Sequence, residues 1–417
     1  MADAVHAPPG RRLGYGFAAI AAVAIAYPVA AQAQSAAFGA PPEGIQVQAI
    51  LDEVHDSNIA RSAGAVLTGQ RSDERVTPTL NITVNKALGQ NSLTLSAFAG
   101  YDFYRRNKEL NRERLGLNGD LGLVGGPCFL HLRPGISRAQ SDLGDIIPLS
   151  GTGVTNRSSV RNVATTQSYG AELQCGNSNG LRPLITAEHT AGNNSEVLRR
   201  IANYRTNTYG AGVAYGEPVY GQATLRFTKQ DTSYPDRPAF FGPGNFSTRR
   251  VTFDVQRSIG SVLSGSAGIS YVMVRPDTGV ATTDFNGFGW HAELSAVPTP
   301  DMHLTAGTSR DISPSLGNDA TYQVNRLYTV TADYAFSGRL RASLTGTIRN
   351  VRYYGSQGLF GPPLTDSRNH TISPSLSFLP TDRLTFTLYG GYQDRKTNIA
   401  LYDYHSYFIG LRTSFTL

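Results

Sequence analysis

From about Arg75 to Leu417, apolar and polar residues alternate in stretches of roughly ten residues, the length of a strand that crosses a membrane. Val76, Pro78, Leu80, Ile82 and Val84 share one face of such a stretch, and Thr77, Thr79, Asn81, Thr83 and Asn85 share the other. Successive strand side chains point to opposite faces, so a one-residue slip would exchange the surroundings of the whole segment. The pattern recurs with Leu93, Leu95, Ala97, Ala99, Tyr101 and Phe103 against Thr94, Ser96, Gly100 and Asp102. Later examples set Leu225 and Phe227 against Arg226 and Thr228, and Val251, Phe253 and Val255 against Arg250, Thr252 and Asp254. Another sets Leu384, Phe386 and Leu388 against Arg383, Thr385 and Thr387. Charge falls on one side of each stretch, which predicts an all-β fold: an antiparallel barrel with one face in lipid and the other in water.

Connections alternate short and long. Short turns built on Gly, Pro, Asn and Asp fall at Leu88–Asn91, Gly125–Pro127, Gly176–Gly180, Gly216–Pro218, Ser258–Gly260, Pro298–Asp301, Ser337–Gly338 and Pro380–Asp382. Between them lie longer polar segments, around Ala63–Ser72, Arg105–Asn111, Gln140–Val160, Asn194–Ala202, Asp231–Asn245, Arg275–Asp284, Asp311–Ala320, Gly355–Asp366 and Lys396–Leu401. Eight turns and nine loops are seventeen connections and hence about eighteen strands, with sixteen as the alternative. Short turns and both termini are expected on the periplasmic side, and long loops outside.

Composition narrows the class. Charged residues are 16% of the chain, against about 25% in ordinary soluble proteins. Tyr (21) and Phe (18) far outnumber Trp (1), and many lie near strand ends, where aromatic girdles belong. A soluble β-sandwich also alternates, but its strands are shorter and its domain smaller. The N-terminus carries Arg11 and Arg12, an apolar run from Phe17 to Val29 and the small-x-small site Ala31-Gln32-Ala33, the form of a secretory signal peptide over 1–33. Residues 34–46, with Pro41, Pro42 and Gly44, read as a periplasmic linker, and 47–417 as the barrel. An outer-membrane destination in a Gram-negative bacterium follows, and nucleic acid is not an expected partner.

A barrel this wide is expected to keep an aqueous lumen. The polar parity supplies the lining: Arg114, Arg133, Arg182, Arg226, Arg250, Arg339, Arg341, Arg349, Arg383 and Arg412, with Asp120, His131, Glu172, Glu188, Asp254 and Glu293. Arginines outnumber carboxylates in this set, and the whole chain carries +6. A weak preference for anions follows, with a balanced wall of ion pairs as the competing reading. Two loops combine aromatics with Pro and Gly and offer Tyr234, Phe240, Phe241, Tyr353, Tyr354 and Phe360 as a glycan contact surface; an interfacial aromatic belt explains the same residues. Cys128 and Cys175 fall near the periplasmic ends of adjacent strands, so a disulfide and two unlinked residues are both open. The cluster Asp52-Glu53-Val54-His55-Asp56 reads as a lumen-facing polar edge rather than a metal site, with Glu53 and His55 on one face. No G-x-S-x-G and no phosphate-binding loop is present, so no enzyme activity, cofactor or metal is expected.

At Asp56-Ser57-Asn58-Ile59, and in Arg352-Tyr353-Tyr354 and Tyr402-Asp403-Tyr404, the chain resembles the outer-membrane porins encoded with exopolysaccharide biosynthesis machinery, the β-barrel porin 2 type. The resemblance implies export of a polysaccharide, with periplasmic export or biosynthesis components as partners. A general diffusion porin for small anionic solutes is the alternative within the same architecture, and an outer-membrane enzyme or surface adhesin the alternative of another class. Lipid, lipopolysaccharide and the barrel-assembly machinery are the partners expected of any such barrel. The last strand ends Ser414-Phe415-Thr416-Leu417, which shifts the usual terminal aromatic inward by two residues.

Overall fold

The structure is a computed structural model that describes residues 43–59, 61, 71–140, 162–177, 179–217, 221–237, 245–259, 262–277, 284–314, 320–355 and 363–417. The signal peptide, most of the linker, the Gln140–Val160 segment beyond Gln140, and Phe240, Phe241 and Phe360 lie outside the described residues.

Eighteen strands account for nearly everything else. They begin with β1 (Gly44–Asp56), β2 (Asp73–Leu88), β3 (Asn91–Tyr104), β4 (Arg112–Gly125), β5 (Cys128–Gln140) and β6 (Val163–Cys175). Next come β7 (Gly180–Asn194), β8 (Tyr204–Glu217), β9 (Gly221–Ser233), β10 (Phe246–Ile259), β11 (Leu263–Pro276) and β12 (Phe285–Thr299). The last are β13 (Met302–Pro314), β14 (Tyr322–Ala335), β15 (Leu340–Tyr354), β16 (Asp366–Phe378), β17 (Leu384–Thr397) and β18 (Tyr404–Thr416). Each strand pairs antiparallel with its neighbours in the chain, and β18 pairs with β1 from Gln48↔Thr416 to Asp56↔Phe408, which closes the barrel. Closure removes the unpaired edge that lipid could not solvate. At each of the eight expected short turns one strand ends and the next begins within about two residues of the expected position, and the strand count among the described residues is eighteen.

The parities also agree with the sequence. Leu80, Tyr101, Phe103, Leu225, Phe227, Val251, Phe253, Val255, Phe386 and Leu388 are exposed on the outside. Outward aromatics collect at two levels. Tyr271 with Phe288, and Tyr392 with Tyr407, lie toward the long loops; Tyr334 with Phe336, Phe378 and Phe415 lie toward the short turns. Ten residues separate Arg326 from Phe336, which at ~3.4 Å per residue and a ~40° tilt is about 26 Å of height, matching the ~25 Å apolar band of outer-membrane barrels.

The motif Asp56-Ser57-Asn58 has a structural job at the closing seam. Asp56 Oδ1 accepts the Asn58 backbone N–H at 2.9 Å and the Ser406 hydroxyl, while the buried Asn58 donates from Nδ2 to the His405 carbonyl at 3.0 Å. It thereby ties the end of β1 to the start of β18. In the same strand Leu51 faces outward, so Glu53 and His55 are exposed on the outer face, and the lumen-facing edge expected for them is overturned. Asp52 and Asp56 are the residues that point inward, because register with Arg412 and Phe408 fixes the parity of β1.

Candidate functional site: the lumen and its mouth

Inward charges are held in networks along the wall. Asp52 accepts hydrogen bonds from Tyr389 Oη at 2.9 Å and Arg412 Nε at 3.1 Å, and Arg75 Nη2 lies 3.9 Å away. Arg75 continues to Asp102 at 3.9 Å, which also accepts the Thr77 hydroxyl at 2.6 Å and lies 3.8 Å from Arg114. Six strands, β17 through β4 across the closing seam, are thus joined by one alternating chain of charges. A second network runs from His131 and Arg133 on Asp120 (2.8 and 3.0 Å) to Glu172, which lies 3.8 Å from both Arg133 and Arg226. A third set is Arg250 with Asp311, Asp254 with His291 at 3.4 Å and Asp333 with His303 at 3.7 Å.

Of the arginines assigned to the lining, Arg114, Arg133, Arg182, Arg226, Arg250, Arg341, Arg349 and Arg412 lie on inward parities. Arg349 donates to Asn325 at 3.2 Å. Arg339 and Arg383 do not belong to the wall: both sit exposed in short turns, just before β15 and β17, because those strands begin one residue later than the alternation alone suggests. Their backbone carbonyls accept Leu379 N–H and Thr416 N–H, both at 2.8 Å. The arginine surplus also disappears, since Asp52, Asp102, Asp311 and Asp333 face inward as well. Asp102 already stands on the polar parity of its stretch and Asp52 in the cluster read as a lumen-facing edge, whereas Asp311 and Asp333 lie near strand ends, where the alternation is hardest to read. The balanced wall is the arrangement found.

Cys128 and Cys175 are register partners and are bonded, with S–S 2.08 Å and Cα–Cα 3.9 Å, at the short-turn ends of β5 and β6.

The long-loop end of the lumen departs from an open cylinder. The β12–β13 ladder stops at Trp290↔Arg310, although β12 continues to Phe285 and β13 to Pro314. Beyond this split, the buried residues of β8 to β12 carry the inward parity: Tyr204, Phe246, Val272, Val274 and the partly buried Phe285. Those of β13 to β15 carry the outward parity: Ile312, Tyr322, Val324 and the partly buried Tyr354. Inner face meets outer face, so the tips of β13, β14 and β15 have folded inside the mouth. Phe246 on β10 lies 6.0 Å from Tyr322 on β14, ring to ring, and Tyr234, after β9, donates from Oη to the Thr321 carbonyl at 2.9 Å. Five strand spacings of ~4.8 Å put β9 and β14 roughly 24 Å apart along the wall, a gap no pair of side chains spans. Infolding is what brings them together.

This cluster overturns part of the glycan surface. Tyr234 is buried with Arg237 stacked 4.1 Å over its ring, and Tyr354 stacks on Tyr322 at 5.0 Å and 6°. Tyr234 offers no exposed ring to a sugar, and Tyr354 has one face taken up by Tyr322. Tyr353 takes the opposite parity to Tyr354, and its N–H pairs with the Thr365 carbonyl at 2.9 Å. Nothing in a one-dimensional alternation signals that three strands bend inward, since the tips keep their period throughout.

The apolar exterior, charged interior and closed ladder make this an outer-membrane β-barrel. No helix among the described residues is long and apolar enough to cross a membrane, and no group of three or more metal-ligating side chains gathers among the described residues. No family model matches the chain, and no curated protein matches it. Among solved structures it is similar to Pseudomonas aeruginosa OccK2 (OpdF) in complex with glucuronate, at 13% identity and TM-score 0.47 over 89% of this chain and 98% of that one. Pseudomonas aeruginosa OpdK with vanillate gives 14% and 0.45 over 89% and 98%, and Acinetobacter baumannii OccAB3 gives 8% and 0.45 over 89% and 99%. Glucuronate and vanillate are ligands of those proteins.

Proposed function

We propose that the protein is a passive channel for small polar solutes, narrowed at its outer mouth by the infolded tips of β13 to β15. The observation that carries this reading is the buried contact of Phe246 and Phe285 with Tyr322 across what would otherwise be open bore. A polysaccharide in transit needs a continuous wide lumen and faces on which to stack its rings. Here two of the described loop aromatics, Tyr234 and Tyr354, are spent on narrowing the mouth. The balanced inner wall gives a solute hydrogen-bonding partners of both signs without a strong net field.

Planar-bilayer recording and liposome swelling with refolded protein test the proposal together. Discrete conductance, entry of monosaccharides and exclusion of long oligosaccharides are expected, with a reversal potential near zero in a salt gradient. A barrel that folds but never conducts would refute a channel. One that admits long acidic oligosaccharides as readily as monosaccharides would return the argument to polymer export.

A further inference from the structure

The outer surface carries a feature that solute passage does not use. A concave groove of about 690 Å³ crosses the lipid-facing wall from Tyr215 on β8 to Tyr328 and Val330 on β14. Its floor is made of Gly265, Ala267, Ala292 and Ala306, which are register neighbours or one step apart on β11, β12 and β13. Small residues on four successive positions leave the wall thin where its neighbours, Val255, Leu294 and Val330, stand proud. The volume lies in the ~300–1,000 Å³ range of sites that enclose a ligand.

The upper end of the groove is formed by Thr308 and Tyr328. The next outward residue on each of these strands is an arginine, Arg310 and Arg326, and the two are register partners. Arg352 lies one step further along β15, opposite the buried Val324, and so belongs to the infolded tips. Arg310 is fixed at the split: Nη1 donates to the Phe288 carbonyl that β13 has left unpaired, and its guanidinium lies 5.5 Å from both the Phe285 and Trp290 rings. Its Nε is buried without a partner among the described residues. At the long-loop end of β12 to β17 the carboxylates of outward parity are Asp284, which pairs with Arg275 at 3.3 Å, Asp366, the register partner of Arg352, and Asp394 on β17. None of them makes an ion pair with Arg310 or Arg326 among the described residues. Two like charges, Arg310 and Arg326, therefore stand together at the top of the ~25 Å apolar band, where headgroups begin.

We propose that this surface is a seat for the lipid A part of lipopolysaccharide, with acyl chain in the groove and a phosphate on Arg310 and Arg326. Depth, an apolar trough and unneutralised guanidinium groups at its outer end are what an anionic, acylated lipid of the outer leaflet presents in reverse. The assignment does not depend on the channel reading.

The test is retention of lipid by the refolded barrel in detergent, read by native mass spectrometry after mixing with defined lipids. Diphosphorylated lipid A should be retained, and its retention should fall at least tenfold for dephosphorylated lipid A and for the double variant Arg310→Gln with Arg326→Gln. Ala306→Phe, which fills the groove and leaves every charge in place, should lower it similarly. Heat-modifiable gel mobility identifies folded barrels, and Arg326→Gln alone serves if the double variant fails to fold. Equal retention by the folded variants overturns the proposal, as does equal retention of phosphatidylglycerol, which would mean that any anionic lipid suffices. An oligomer that Ala306→Phe disperses while lipid retention stays unchanged would give the groove to a second copy of the chain and overturn it too.

Discussion

Tyr322→Ala should loosen the mouth. Tyr322 is 1% exposed and packs on three rings: Phe246 at 6.0 Å, Phe285 at 6.5 Å and Tyr354 at 5.0 Å. Truncating a buried aromatic to Ala costs about 3–5 kcal/mol. Tyr354 sits on β15 and moves with the infolded tips, so its stacking survives their release. Assigning about half of the loss to the two contacts across the mouth leaves ~2 kcal/mol, roughly a 30-fold shift toward released tips. Single-channel recording should show a state of higher conductance that the native protein visits rarely, with a larger solute cut-off in liposome swelling. Tyr322→Phe keeps the ring and should behave like the native protein. The reasoning fails if Tyr322→Ala folds normally yet shows unchanged conductance and the same cut-off.

Further outcomes follow from the same geometry. Tyr234→Phe removes the hydrogen bond to the Thr321 carbonyl, worth about 0.5–1.5 kcal/mol, and should raise the occupancy of the wide state by a smaller factor than Tyr322→Ala. Asp52→Asn leaves Arg412 and Arg75 short of a countercharge and weakens the Tyr389 contact at the closing seam. A cost of about 3–5 kcal/mol is expected, read as a lower urea midpoint for the heat-modifiable band; an unchanged midpoint would show the network to be inessential. Replacing Cys128 and Cys175 with Ser frees a 47-residue separation, for which chain entropy gives about 4 kcal/mol; unfolding of the native barrel should then become sensitive to reductant, while that of the variant is not. Trp290, the one tryptophan of the chain, stands on the outward face and should be quenched by bromine-labelled acyl chains and spared by aqueous acrylamide; the opposite result would invert the barrel.

Period and punctuation settled the architecture in advance. A strand has only two faces, so Val76 to Val84, or Leu384 to Leu388, state by themselves which residues meet lipid, and Gly, Pro, Asn and Asp mark where the chain reverses. Pairing with chain neighbours then leaves only closure as a solution for the last edge, while Cys128 opposite Cys175 is decided by the register of β5 and β6, which the alternation leaves open. Side-chain parity is a local property, and it is legible wherever the wall is regular.

Partners across the lumen are another matter. Which carboxylate meets Arg133 or Arg226, that Arg339 and Arg383 fall in turns, and that Glu53 and His55 face outward all depend on where each strand starts within a residue or two. The inward bend of β13 to β15 depends on more still: the ladder breaks above Trp290 and Arg310, and Tyr322 and Tyr354 then change from outward girdle residues into a core. Their sequence keeps the same alternation on both sides of the break. Contacts between strands four and five places apart arise from curvature of the whole sheet, a quantity that no stretch of residues carries alone, so only the tertiary structure could turn the outer face of three strand tips into a constriction at the mouth.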